Sequence, residues 1–230
     1  LHGESKYIDC MERTLYNGVI SGMSMDGGRF FYPNPLSSDG KYKFNADGNT
    51  TRQPWFGCAC CPSNLCRFIP SVPGYLYGVK DNNIYVNLFA GNTSTIKVNG
   101  KDVVLEETTE YPWNGDIKIA VKKSGVKNAN LLVRIPGWVR NQVVPSDLYK
   151  YSDAEKPAYS VTVNGKAVEA DLDANKGYLP VKNIKKGDVI RIHFDMPVRT
   201  VVANGKVADD KGKVAVERGP LVYCAEAVDN

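Results

Sequence analysis

Two hydrophobic periods divide this chain. From Gly3 to Gly22 apolar residues recur at helical spacing: Met11, Leu15 and Val19 form one stripe, flanked by Tyr7, Ile8, Tyr16 and Ile20. Gly22 is placed to stop that helix. Its apolar face is wide, as in a helix packed inside an array of others. A second helical pattern follows Cys61, with Leu65, Phe68, Ile69 and Val72 in phase. Pro62 suits its first turn, Pro70 predicts a kink or an early end, and Pro73-Gly74 stops it. Residues 24–53, between the two, are rich in Gly, Asn, Asp, Ser and Pro around Phe30-Phe31-Tyr32. They read as a long ordered loop with a short strand. A loop of that length in a compact domain is usually functional or disordered, and the aromatics favour function.

After Gly74 the period shortens to that of β-strands. Tyr75 to Val79 and Ile84 to Phe89 flank the polar turn Lys80-Asp81-Asn82-Asn83 and predict a hairpin. Strand patterns recur at Val103 to Leu105, Ile117 to Val121, Leu131 to Ile135, Tyr159 to Val163, Val189 to Phe194, Val214 to Val216 and Leu221 to Cys224. One phrase appears in three near-copies, ending in Asn99-Gly100-Lys101, Asn164-Gly165-Lys166 and Asn204-Gly205-Lys206. Asn-Gly accepts the positive φ angles of a type I′ hairpin turn. Uneven separation of the copies argues for a recurring turn and against a solenoid repeat. Many short strands with hardly any helix predict a mainly β fold, a jelly-roll-like β-sandwich. The expected architecture is two or three helices in the first third and antiparallel sheets beyond, with no substantial helix between residues 84 and 225.

Composition adds little to this picture. A chain of 230 residues can bury a real core, as one large or two small domains. Its 29 basic and 25 acidic residues leave a net charge of +4, spread as single lysines and pairs such as Lys122-Lys123 and Lys185-Lys186 beside turns. No basic block with interleaved aromatics argues for nucleic acid, and no apolar run approaches membrane-spanning length. The chain opens Leu1-His2-Gly3 without an initiator Met or signal peptide, so compartment is not legible.

The strongest chemical signal is Cys58-Ala59-Cys60-Cys61, followed by Pro62-Ser63-Asn64. Adjacent cysteines rarely bond to each other, because the ring they close distorts the peptide between them. They do make good soft-metal ligands, and a cation relieves the repulsion of crowded thiolates. The spacing is not that of a zinc ribbon or finger. At the head of a helix a thiolate is also favoured by the macrodipole and can act as a nucleophile. Cys10, Cys66 and Cys224 stand singly among apolar residues and read as small buried hydrophobes. His2 and His193 have no metal spacing; His2 reads as a terminal residue and His193 as a strand residue, neither with a function.

Several ordered phrases resemble glycoside hydrolase family 127, the β-L-arabinofuranosidases. They are Met11 to Gly18 (MERTLYNG), Phe30 to Leu36 (FFYPNPL), Cys58 to Asn64, Gly74-Tyr75-Leu76-Tyr77 with Tyr85-Val86-Asn87-Leu88, Arg134-Ile135-Pro136-Gly137-Trp138 and Glu217 to Tyr223 (ERGPLVY). The resemblance implies that residues 1–74 form the last helices of an (α/α)6 catalytic barrel and residues 75–230 a β-sandwich region. It implies a retaining hydrolase of β-L-arabinofuranosides that uses zinc. Cys60 and Cys61 would be two of the four zinc ligands and Cys60 the nucleophile, while Glu12 and Tyr32 would contact the sugar. The role of Cys58 stays open. The family's other ligands, in a Glu-x-Cys element, and its acid/base Glu match nothing here. The chain is therefore expected to be the C-terminal portion of a longer enzyme, inactive alone.

The implied chemistry is coherent: a thiolate replaces the usual carboxylate nucleophile on one face of the anomeric carbon. For Glu12 the competing reading is an exposed helix residue paired with a basic neighbour, though its stacking with Ile8 and Tyr16 predicts partial burial. The expected partner is an arabinose-containing oligosaccharide or plant glycan, with no nucleic acid and no membrane insertion; a homodimer is allowed. The competing function is a non-catalytic carbohydrate-binding β-sandwich module whose cysteines hold a structural zinc, and a third is a redox-active thiol site.

Overall fold

The computed structural model describes residues 2–33, 35 and 38–225. Among them the chain is mainly β, with two α-helices, α1 (Ser5–Thr14) and α2 (Cys60–Phe68). It separates into two units, residues 11–74 and a larger unit of residues 1–10 with 75–230.

Both expected helices form, α1 with its first six residues in the larger unit and α2 wholly in the smaller, but each changes pitch. Helix α1 widens into a π turn over Leu15–Val19 and tightens to 3₁₀ over Ile20–Gly22. Asn17 Nδ2 donates to the Arg13 carbonyl at 2.9 Å and Ser21 Oγ to the Asn17 carbonyl at 2.9 Å, so side chains compete for acceptors of the backbone ladder. Helix α2 ends at Phe68, two residues before Pro70, and continues as 3₁₀ over Ile69–Tyr75. The loop between the helices holds one 3₁₀ turn, Ala46–Gly48, and isolated bridges, Phe30 pairing with both Met23 and Gln53. Asn34 and Leu36 of the aromatic phrase lie outside the described residues. Cys10, Cys66 and Cys224, expected inside, are exposed. Helices α1 and α2 bury few of their side chains within the chain, which leaves Cys10 and Cys66 uncovered.

The larger unit holds all fourteen strands found among the described residues: β1 (Tyr77–Lys80), β2 (Asn83–Val86), β3 (Asn92–Val98), β4 (Lys101–Thr109), β5 (Asp116–Ser124), β6 (Asn130–Arg134), β7 (Tyr149–Tyr151), β8 (Tyr159–Val163), β9 (Lys166–Ala167), β10 (Tyr178–Val181), β11 (Val189–Phe194), β12 (Val198–Ala203), β13 (Val214–Arg218) and β14 (Leu221–Tyr223). They make three sheets, ordered β1-β2-β6-β10, β3-β4-β5-β11-β8-β9 and β14-β13-β12-β7. Between residues 84 and 225 the helical content is one 3₁₀ turn, Ala208–Asp210. Pairing is antiparallel as expected, with one departure: β2 and β6 run parallel, Ile84 opposite Leu131 and Val86 opposite Val133. Those four side chains are fully buried, as a parallel pair requires.

Alternation decides which faces pack. Ile117, Ile119 and Val121 of β5 and Ile190, Ile192 and Phe194 of β11 point inward from the six-stranded sheet, at most 2% exposed. The Asn-Gly turns follow the expected geometry at two sites, where Asn99, Gly100, Asn164 and Gly165 all have positive φ. The third does not. Asn204 has no positive φ; its side chain donates to the Asp147 carbonyl and accepts from Lys206 N, and the chain runs through a 3₁₀ turn before β13 begins.

Two buried charges stand out in this unit. Arg134, at the end of β6, is wholly buried. Its guanidinium donates to Asp9 Oδ1 at 2.7 Å and to the Asn87 carbonyl at 2.5 Å, and lies over the Phe89 ring. Arg140 donates to the other Asp9 oxygen at 2.9 Å and to Ser5 Oγ at 2.8 Å. Ser5 N donates to the Lys176 carbonyl, and its side chain fills the space a Cβ on Gly177 (φ +83°) would need. Removing the carboxylate from Asp9 leaves Arg134 buried without its counter-charge, so Asp9→Ala should cost about 3–5 kcal/mol in chemical denaturation.

Glu107 lies on the inward face of β4, in phase with Val103 and Leu105, and is 3% exposed. Tyr77 Oη donates to it at 3.0 Å and Ala90 N at 3.1 Å, but burial still pushes its carboxyl up to about 7. Between the ordinary value of 4.5 and about 7 the unfolded chain is ionised here while the folded chain keeps the proton. This group's contribution to stability is therefore full below that window and lost as pH rises through it. Glu107→Gln should flatten the fall in the denaturation midpoint measured from about pH 5 to about pH 8.

Candidate functional site

Three of the residues singled out from sequence meet in the smaller unit. Cys60 and Cys61 are the first two residues of α2, and Tyr32 arrives from the long loop. The Tyr32 hydroxyl lies 2.9 Å from Cys60 Sγ, and Cys61 Sγ lies 4.0 Å from Cys60 Sγ. The Cys58 thiol contributes to the electrostatics of both Tyr32 and Cys60. Local sequence explains the helix start. Pro62 stands at its third position, where a backbone N–H would have no intrahelical acceptor. No side chain caps this end: the preceding Ala59 cannot, and Ser63 Oγ donates back to the Ala59 carbonyl at 2.7 Å. The free N–H groups of the first turn leave positive potential where the two thiols sit.

That environment separates the adjacent thiols. The Tyr32 hydroxyl, followed by the Cys61 and Cys58 thiols, holds Cys60 below the ordinary thiol range. Burial, with Cys60 beside it, pushes Cys61 up. Hydrogen bonds to Cys60 and Cys58 raise Tyr32, so the phenol holds its proton more tightly than an ordinary tyrosine does. Cys60 is also exposed whereas Cys61 is half-buried. Local sequence treats the two cysteines almost alike; the structure does not.

Tyr32 is held on two sides. Its backbone N–H donates to Asn45 Oδ1 at 2.7 Å, and its ring meets Phe56 edge-on at 5.5 Å. Asn45 and Phe56 are each 3% exposed. Neither was legible as a site residue, because an Asn in a polar loop and a Phe beside Trp55 carry no spacing signal. Glu12 is 2% exposed, more deeply placed than the partial burial expected.

Whether zinc suits this pair can be judged from the sulfur separation. Two thiolates on one tetrahedral zinc, each about 2.3 Å from the metal, stand about 3.8 Å apart. The 4.0 Å between Cys60 and Cys61 fits two corners of such a site. Among the described residues no three His, Cys, Asp or Glu side chains group to hold a metal ion. No helix of the described residues is long and apolar enough to cross a membrane. His193 carries more than strand packing: its ring nitrogens lie 2.7 Å from Asp116 and 3.0 Å from Asp195.

Comparison with known proteins places the chain among the glycoside hydrolase families. The beta-L-arabinofuranosidase GH127 catalytic domain matches residues 1–74, the GH127 middle domain residues 83–196, and the family 127 C-terminal domain residues 198–230. A non-reducing end beta-L-arabinofuranosidase of Bifidobacterium longum subsp. longum is 35% identical over the whole chain, which covers 33% of that protein. A solved GH127 beta-arabinofuranosidase shares 57% identity with a TM-score of 0.92, over 100% of this chain and 35% of its own. A GH127 beta-L-arabinofuranosidase from Geobacillus stearothermophilus T6 shares 38% identity with a TM-score of 0.82, over 99% of this chain and 34% of its own. The chain belongs to glycoside hydrolase family 127. It spans about a third of the length of these relatives.

The thiol environment makes a prediction that needs no substrate. In chelator-treated protein, iodoacetamide should modify Cys60 before Cys61, because only the thiolate reacts. Tyr32→Phe should move the pH at which Cys60 labels half-maximally upward, since the donor that lowers it is gone. Equal labelling of both thiols, followed by peptide mass mapping, would contradict the asymmetry.

Proposed function

We propose that the polypeptide carrying this chain is a retaining hydrolase of β-L-arabinofuranosides, with Cys60 as nucleophile and zinc held in part by Cys60 and Cys61. In this reading helices α1 and α2 belong to an (α/α)6 catalytic barrel and the sheets to the sandwich region that follows it. One observation carries it: a phenol hydroxyl 2.9 Å from one of two adjacent thiols at the open end of a helix. This arrangement lowers the thiolate's energy without burying it, as an attacking sulfur requires.

The steps then follow from the chain's own groups. The Tyr32 hydroxyl donates to Cys60 Sγ and keeps the sulfur ionised and aimed. Glu12, a buried carboxylate, accepts hydrogen bonds from sugar hydroxyls, and the Tyr32 phenol supplies a second oriented contact. Cys60 Sγ attacks the anomeric carbon, forming a C–S bond as the glycosidic C–O bond breaks. The leaving oxygen takes its proton from an acid outside these 230 residues. Water then attacks the same carbon, giving a proton to the conjugate base of that acid, the C–S bond breaks, and Cys60 returns as thiolate. Two inversions give retention. Bound zinc would supply positive charge that holds Cys60 and Cys61 deprotonated at neutral pH. The substrate is an arabinose-containing oligosaccharide or plant glycan, a reading supported by the names of the relatives above.

Substitution in the full-length polypeptide tests this. Cys60→Ser should abolish hydrolysis of an aryl β-L-arabinofuranoside, because a serine hydroxyl is neither ionised at neutral pH nor comparably nucleophilic. Cys61→Ser should also be severe, but accompanied by lost zinc in elemental analysis. Wild-type turnover in Cys60→Ser, or full activity after metal removal by a strong chelator, would refute the reading.

A further inference from the structure

We propose that Asn45 is the positioning residue that sets the Tyr32 hydroxyl on Cys60, an inference that rests on the reading of Cys60 as nucleophile. The argument begins with how residues 30–32 are held. Phe30 exchanges two backbone hydrogen bonds with Gln53, each 2.8 Å, and Phe31 N donates to the Gly22 carbonyl at 2.8 Å. At Tyr32 the backbone-to-backbone pattern gives way, and the N–H donates to a side chain, Asn45 Oδ1, at 2.7 Å.

Asn45 suits that task. It is 3% exposed, and the same Oδ1 accepts from Ala46 N at 3.1 Å while Nδ2 donates to the Thr51 carbonyl at 2.8 Å. Its backbone N–H donates to the Asn49 carbonyl at 2.9 Å. Both ends of the amide are therefore fixed to one turn of chain, and the amide reaches out of that turn to a single residue, Tyr32. Phe56 then fixes the ring. With backbone and ring both held, the hydroxyl has little freedom but to stay at Cys60. An unheld Tyr32 would sample rotamers that leave the sulfur without its donor.

The amide's two ends also allow a discriminating pair of variants. Asn45→Ala removes both. Asn45→Asp keeps the oxygen facing Tyr32 N and Ala46 N, but sets an oxygen against the Thr51 carbonyl. A residue needed only for loop stability should tolerate Asp no better than Ala, whereas a residue needed to place Tyr32 should tolerate Asp better.

The test uses the full-length polypeptide with two readouts: kcat and KM on an aryl β-L-arabinofuranoside, and the iodoacetamide labelling rate of Cys60 after chelation. Asn45→Ala should lower kcat about tenfold or more with a smaller change in KM, the scale of loss from a misplaced catalytic group. Asn45→Asp should recover part of that loss even with a melting temperature no higher than that of Asn45→Ala. Adding Asn45→Ala to Tyr32→Phe should cost little beyond Tyr32→Phe alone, because both act through one hydroxyl. Cys60 labelling should follow the same order, and it does so whether or not Cys60 is the nucleophile. If Cys60→Ser stays active while labelling keeps that order, the nucleophile reading falls and the positioning role stands. Fully additive losses, or Asn45→Asp as impaired as Asn45→Ala in both readouts, overturns the positioning role and leaves the nucleophile reading intact. Should Asn45→Ala fail to fold, Asn45→Asp compared with Tyr32→Phe decides by labelling alone: rates below wild type but faster than in Tyr32→Phe support the proposal, and wild-type rates or rates as slow as in Tyr32→Phe overturn it.

Discussion

The larger unit is organised around one buried guanidinium. A charge taken wholly out of water is tolerated only where its hydrogen bonds and its counter-charge are supplied together. For Arg134 those come from the first helix through Asp9, from the carbonyl of Asn87 just beyond β2, and from the face of Phe89. Three stretches of chain far apart in sequence, around residues 9, 87–89 and 134 itself, must therefore converge before the arginine can be buried. The parallel pairing of β2 with β6 meets the same demand, because it carries Arg134 alongside Asn87. Arg140 and Ser5 extend the network, so the N-terminal residues are tied to strand ends rather than left to fray.

The smaller unit obeys a different constraint. Its helices bury few side chains, and what is fixed there is polar: an amide, a phenol and three thiols. Hydrogen bonds rather than packing area decide where Tyr32 sits. The phenol beside Cys60 and the burial of Cys61 together make the two thiols unequal. A chemically symmetric pair has become one exposed thiol that ionises more readily and one half-buried thiol that ionises less readily. The proposed roles of Cys60 and Cys61 in glycoside hydrolysis rest on that asymmetry.

Elements whose signals are local were legible in the sequence. The strand alternation of β5 and β11, the Asn99-Gly100 and Asn164-Gly165 turns, and the helix opening at the cysteine cluster all rest on near neighbours. The third Asn-Gly misled because Asn204 bonds to Asp147, far back in the chain. Arg134 and Asp9 are 125 residues apart, and no periodicity announces such a pair. Asn45 was hidden for a related reason, since its reach to Tyr32 spans 13 residues of irregular loop. Phrase-level resemblance to family 127 pointed to Cys60, Cys61, Tyr32 and Glu12 together, where spacing alone singled out only the cysteines. The exposed Cys10, Cys66 and Cys224 show the opposite failure: apolar neighbours in sequence did not mean burial.

The central claim is that sulfur, not oxygen, attacks the sugar. An arabinofuranose-based electrophile that captures the attacking group, incubated with the full-length polypeptide and followed by peptide mass spectrometry, tests it most directly. The account predicts one label per chain, on Cys60, with Cys61 and every carboxylate unmodified. A label on a Glu or Asp with Cys60 unmodified would contradict it, and would mean an ordinary carboxylate mechanism.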